Sequence, residues 1–264
     1  MEDVQNRRDE RGIPIHQVGV NHLRYPITIL DRAKGKQHTV ASVRMAVNLP
    51  HHFKGTHMSR FVEILNEHHG DMTMWTLPEI VHKLKKRLDA ESAYVELTFP
   101  YFIERAAPVT GATALMDYQC SFIGKTNREG KDEFVLRVRV PVTSLCPCSK
   151  EISDYGAHNQ RGEVTIEVKC EREGKPEMMW IEEVVEIAEA SASAPVYALL
   201  KRPDERYVTM QAYDHPAFVE DIVRNVAQRL MADERVVWFR VVAENYESIH
   251  NHNAFACVEW ERTG

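Results

Sequence analysis

The sequence predicts an α+β protein of antiparallel sheets with a helix pair on one face, an arrangement that occurs twice. Three observations predict it. Period-2 alternation with many β-branched side chains recurs along the chain, helical periodicity appears between those stretches, and the order is two strands, two helices, two strands, then the same again. Each half has the length of a small domain.

Strands are expected at 25–31, 38–49, 92–104, 115–123, 134–144, 163–170, 235–244 and 254–260. The clearest are "HTVASVRMAVNL" (38–49) and "EFVLRVRVPV" (133–142), which set small or apolar side chains against polar ones. The run "REGKDE" (128–133) places Gly130 in a hairpin turn. Helices are expected at 58–69, 77–88, 180–192 and 215–232, with Pro78 and Pro216 in first turns, where helices tolerate proline. The domain reading is a mobile charged tail over 1–12, a first module over 13–130 and a second over 131–264. Sheets with unprotected edges suggest assembly into a ring or barrel.

A chain of 264 residues with 44% hydrophobic and 27% charged residues has the composition of a soluble globular protein. No apolar run is long enough to span a bilayer and the start lacks a signal-peptide pattern, so a cytoplasmic protein without membrane contact is expected. A net charge of −6 argues against broad nucleic-acid binding. Five irregularly spaced cysteines do not form a disulfide framework, which leaves catalysis or metal binding as roles for a thiol near histidine.

Such a pairing occurs in "TSLCPCSKEISDYGAHNQRG" (143–162). Cys146 and His158 offer thiolate and imidazole, which suit zinc and related ions. No second paired motif completes a structural site, so an open site with three protein ligands and water is one reading. Buried small cysteines and a loop histidine are the other. Asp204, Glu205 and Glu247 are candidate carboxylate ligands, although isolated acidic residues are mostly solvated. On a strand, His250 and His252, two apart in "ESIHNHNAF", would share one face and suit proton transfer, with Glu247 just upstream; a polar loop before a strand is the other reading. Glu220 falls in the first turns of a helix, where the dipole favours a carboxylate. Lys54, His57 and Arg60, then Lys150, Arg161, Lys201 and Arg202, can together neutralise a polyphosphate, although each alone is a plain surface charge. No glycine-rich phosphate loop is present.

In this order, "SLCPCSKEIS", "GAHNQRG", "LLKRPDER", "FVEDIVRN" and "ESIHNHNA", with "KGTHMSRF" upstream, closely resemble the type IB GTP cyclohydrolase I family, from about residue 13 to the C-terminus. The resemblance implies tandem tunnelling-fold (T-fold) repeats assembled as a homotetramer. It implies hydrolysis of GTP to formate and 7,8-dihydroneopterin triphosphate, the first step of folate synthesis. One divalent ion per active site (Zn2+, Mn2+ or Fe2+) is implied, with Cys146, His158 and Glu205 on metal-ligand positions. Glu220 falls on the residue that holds the guanine edge, and Glu247, His250 and His252 fall on active-site positions. Lys150, Arg161, Lys201 and Arg202 flank these motifs and are the triphosphate candidates. Rival readings are an archaeal-type cyclohydrolase with a cyclic phosphate product, a nitrile reductase of the same fold, and a non-catalytic zinc-stabilised scaffold.

Overall fold

A computed structural model describes residues 5, 7–68 and 70–263; parts of the expected tail and the end of the expected 58–69 helix lie outside them. The chain forms two compact units, residues 1–100 with 121–135 and residues 101–120 with 136–264. The expected cut at 130 lies in a turn of the first unit. The division instead crosses three 14-residue strands: β3 (Ala93–Ala106), β4 (Thr113–Thr126) and β5 (Asp132–Leu145).

Before these come β1 (Ile15–Asp31), β2 (Gly35–Leu49), α1 (Met58–Asn66) and α2 (Thr76–Arg87). In the first unit the strands lie in the order β1-β2-β3-β4. β1 begins well before the expected 25. Its first part pairs with 42–49, but register shifts, and His22 at φ 57, break the alternation that sequence reading needs. The inward residues of β2, among them Val43 and Met45, are buried, as are Phe61, Ile64 and Leu65 of α1 and Leu77, Ile80, Val81 and Leu84 of α2. This is the apolar stripe that the 3.6-residue period writes on each helix. Gly124 of β4 lets α2 come down onto the sheet: a Cβ there would lie 2.8 Å from Leu77 Cγ and 3.2 Å from Val81 Cγ2. In the expected tail, Gly55 N donates to Gln5 O, Lys54 N to Arg7 O and Asp9 N to His52 O, so those residues have backbone partners.

The second unit adds α3 (Pro147–Ile152), β6 (Asn159–Arg172), β7 (Lys175–Pro176), α4 (Ile181–Glu189), β8 (Ala194–Pro195), α5 (Arg202–Asp214), α6 (Val219–Met231), β9 (Val236–Asn245) and β10 (Ala254–Glu261). Its sheet runs β3-β4-β5-β6-β9-β10, and the β5–β6, β6–β9 and β9–β10 pairings are antiparallel. α4 and α6 bury Val184, Val185 and Ala188, and Ile222, Val226 and Leu230, on the sheet side where Val140, Ile166, Phe239 and Val241 also lie fully buried. α6 starts at Val219 rather than 215, because its first turn is set by Asp221 Oδ2 accepting from Phe218 N. α3 and α5 are additions to the expected helix pair. α5 buries only Asp204 and Ala212, so it carries no apolar stripe to be read.

A small polar cluster lies under α4. Arg105 bonds to Glu189, whose Oε1 accepts from Tyr118 Oη, and Tyr101 Oη donates to Glu182 Oε1 at 2.6 Å. Burial pushes the Glu189 carboxyl up, with Arg105 opposing it. Among the described residues no helix is long and apolar enough to cross a membrane.

Gly124→Ala is expected to lower stability by about 1–3 kcal/mol through overpacking against Leu77 and Val81, read from the midpoint of urea unfolding. An unchanged midpoint would show that α2 can retreat freely.

Candidate functional site

β5 and β6 pair in a register that sets Leu145 opposite Asn159 and Ser144 opposite Gln160. That register brings the cysteine and histidine motifs together across twelve residues of sequence. Cys146 leaves β5 as the N-cap of α3, its Sγ accepting from Ser149 N at 3.4 Å, with Pro147 at the helix start. Cys146 N donates to His158 O at 3.1 Å, and His158 N donates to Ser149 Oγ at 3.1 Å. One end of the His158 ring meets Gln160, with Nδ1 2.8 Å from Oε1. Gln160 Nε2 donates to Glu247 Oε1 at 3.4 Å, and Glu247 Oε2 lies 3.9 Å from His158 Nδ1. The side chains of His158 and Glu247 are only 13% and 11% exposed.

A second polar chain underlies this corner. Asn245 Nδ2 donates to Ser144 Oγ at 2.9 Å, and Ser144 Oγ donates to Ala217 O at 3.0 Å. Leu145 N is held by Ser193 Oγ at 3.0 Å, and Ala217 N by Leu145 O at 3.1 Å. The end of β5 is thereby tied to β9 and to the entry of α6. Gly162 makes this possible, since a Cβ there would fall 2.6 Å from Asn245 Oδ1. That oxygen is buried and has no hydrogen-bond partner.

Glu220 stands in the first turn of α6, exposed, on the helix whose entry is tied to β5. His250 and His252 lie in the exposed loop between β9 and β10, before the strand expected at 254–260; their rings stack, with centroids 5.2 Å apart and 18° between planes. Lys150 is occupied: its Nζ donates to Tyr213 O at 2.6 Å and lies 4.1 Å from the Tyr213 ring centre. Arg161, Lys201 and Arg202 are exposed. Lys54, His57 and Arg60 belong to the first unit, where His57 is the N-cap residue of α1 and Arg60 Nη1 donates to Arg87 O at 2.9 Å.

Two neighbouring carboxylates of α5 have different fates. Asp204 is fully buried and accepts from Val109 N, Thr110 N, Thr110 Oγ1 and Lys201 N, all at 2.7–2.9 Å. Burial opposes its charge, but the bonds from Thr110, Lys201 and Val109 prevail and hold its carboxyl down to about 2. It is a structural anchor with no oxygen left for a metal. Glu205, next along, is exposed.

Thiol, imidazole and carboxylate are the donor types a borderline divalent ion takes. Cys146 and His158 meet that requirement as a pair. Among the described residues no group of three or more His, Cys, Asp or Glu side chains gathers as a metal cage. Glu247 flanks the Nδ1 edge of His158, so an ion on Nε2 would sit away from it. Sequence reading missed Gln160, Ser144, Gly162 and Asn245; the signal for Gln160 and Gly162 lay inside "GAHNQRG" itself.

Comparison with known proteins adds a family. The model of type I GTP cyclohydrolase folE2 matches residues 1–256. GTP cyclohydrolase FolE2 of Syntrophus aciditrophicus is 56% identical over 99% of this chain and 100% of its own length. That of Nitrosococcus oceani is 53% identical over 99% of this chain and 96% of its own. Among solved structures, uricase from Arthrobacter globiformis matches 94% of this chain and 94% of its own, with TM-score 0.54 and 9% identity. Urate oxidase from Bacillus sp. TB-90 covers 94% and 100%, with TM-score 0.55 and 9% identity. At that identity the likeness shows a shared α+β antiparallel-sheet fold.

Two measurements check this geometry. With an aromatic disulfide reagent at pH 8, exposed Cys148 and Cys257 should react first and half-buried Cys146 more slowly. Cys120 and Cys170 should react only on unfolding, because both are buried and burial pushes the Cys170 thiol up to about 12. Asp204→Asn should lower the melting temperature at neutral pH. Since the folded carboxyl titrates near about 2 and the unfolded one near ~3.9, the difference should hold above pH 4 and shrink as pH falls through 2. A difference that persists below pH 2 would mean the anchor does not work through its charge.

Proposed function

From the premise that this chain belongs to the type I GTP cyclohydrolase folE2 family, we propose that the polar corner at the end of β5 is its GTP site, with a divalent ion held by Cys146 and His158. The activity is that of GTP cyclohydrolase I in folate synthesis: hydrolytic opening of the guanine imidazole ring of GTP, with C8 released as formate and 7,8-dihydroneopterin triphosphate as product. The observation that carries the assignment to this corner is the adjacency of Cys146 and His158, held by the 3.1 Å bond between their backbones.

Zinc, manganese or iron bound there would lower the pKa of a water toward ~7 and so supply hydroxide at neutral pH. Cys146 and His158 would hold it, with Glu205 as the carboxylate that would join them, Asp204 being consumed by its own hydrogen bonds. The chain's own residues do the rest. His250 or His252 delivers a proton to N7 and later to the leaving amine; their stacked rings, exposed to solvent, can exchange protons between turnovers. Glu247, three and five residues before them, sets its carboxylate 3.9 Å from His158 Nδ1. Glu220 accepts two hydrogen bonds from guanine N1–H and the 2-amino group, and adenine would leave it unpaired. Arg161, Lys201 and Arg202 neutralise the triphosphate. Lys150 supports the site by clamping α3 to the end of α5.

The working unit proposed is a homotetramer closed into a barrel. β1 and β10 end the strand orders of their units, and Phe255 on β10 is 74% exposed, an edge suited to pairing with another copy. Sedimentation should give four times 30.4 kDa; a monomer at micromolar concentration would refute the barrel.

Chelated protein given GTP should release formate only when Zn(II), Mn(II) or Fe(II) is restored. No formate with any of them would defeat the metal reading. Cys146→Ala should abolish metal-dependent turnover, whereas Cys148→Ala, exposed on α3, should retain most of it. Equal losses would mean the wrong thiol has been assigned.

A further inference from the structure

We infer that Gln160 is a positioning residue, fixing His158 in the tautomer that leaves Nε2 free for the ion. The inference rests on the metal reading above and concerns a side chain that reading does not use. Gln160 is the second residue of β6 and is 7% exposed. Its two ends differ chemically: the carbonyl oxygen only accepts and the amino group only donates. The carboxylate oxygens of Glu247 are acceptors. The Gln160 amino end must therefore face Glu247, as it does at 3.4 Å.

That choice fixes the next one. With its amino group committed, Gln160 turns Oε1 toward His158 Nδ1, 2.8 Å away, and an oxygen there requires Nδ1 to carry the hydrogen. In a neutral imidazole the other nitrogen, Nε2, then holds the lone pair. Glu247 cannot set the tautomer directly, because its nearer oxygen is 3.9 Å from Nδ1. Ser149 Oγ holds the backbone of His158, so both the main chain and the ring are fixed. The order of control is Glu247 to Gln160 to His158. Outer partners of a metal-binding histidine typically contribute 10–100-fold to affinity.

The test uses the full chain freed of metal and titrated with Co(II), whose visible spectrum reports thiolate and imidazole ligation. Gln160→Leu removes both hydrogen bonds and should weaken Co(II) binding by about 10–100-fold with an unchanged melting temperature. Gln160→Glu keeps an acceptor for Nδ1 but sets a second carboxylate beside Glu247, and should bind Co(II) more tightly than Gln160→Leu. Equal binding by Gln160→Leu and the native chain would overturn the role, and so would equal losses in both variants. A native chain that takes up no Co(II) would overturn the metal reading and this role with it. Should either variant misfold, the native chain labelled with nitrogen-15 histidine still decides: His158 should show a proton on Nδ1. A proton on Nε2 would overturn the inference.

Discussion

The candidate site depends on a close approach between two strands. β6 and β9 pair with Gly162 opposite Asn245, and the space where a side chain would stand is taken by the Asn245 carboxamide. From there Asn245 reaches Ser144, Ser144 reaches Ala217, and the end of β5 is fixed between β9 and α6. Cys146 leaves β5 two residues after Ser144, so its direction follows from that bond. His158 enters β6 four residues before Gly162. A methyl group at one position would displace both motifs. The approach leaves Asn245 Oδ1 without a partner, which typically costs about 1–3 kcal/mol, so the geometry is maintained against a local penalty.

Much of the fold was legible because burial writes a period into sequence. α2, α4 and α6 each bury a continuous stripe, and β2 and β5 alternate, so their existence could be read without the structure. α5 could not, for its residues face a turn and solvent rather than a core. Its start is set by the bonds of Asp204 to Val109 and Thr110, almost a hundred positions away. The early part of β1 was hidden for the opposite reason: bulges shift its faces, and alternation fails although pairing continues.

The site was legible in part and by a different route. Cys146 and His158 were legible as chemistry, but their adjacency is a matter of strand register, which spacing does not encode. For His250 and His252 the sequence left a strand face and a polar loop both open; the loop between paired strands sets the rings parallel. Gln160 and Asn245 were not legible. A single amide in a strand looks like any surface residue until its neighbours are known. The basic residues show how little a charge alone says: Lys150 spends its ammonium on a carbonyl and an aromatic face.

α5 is attached to the second unit mainly by polar contacts: the Asp204 anchor at one end, the Tyr213 carbonyl under Lys150 at the other, and little apolar area between. Hydrogen bonds release over a few tenths of an ångström, whereas an apolar face must be stripped from a core to let go. α5 is therefore an element of this unit whose displacement would cost the apolar core little. Glu205, Lys201 and Arg202 ride on it. The second unit joins a half set by strand register to a helix held by polar bonds at its two ends.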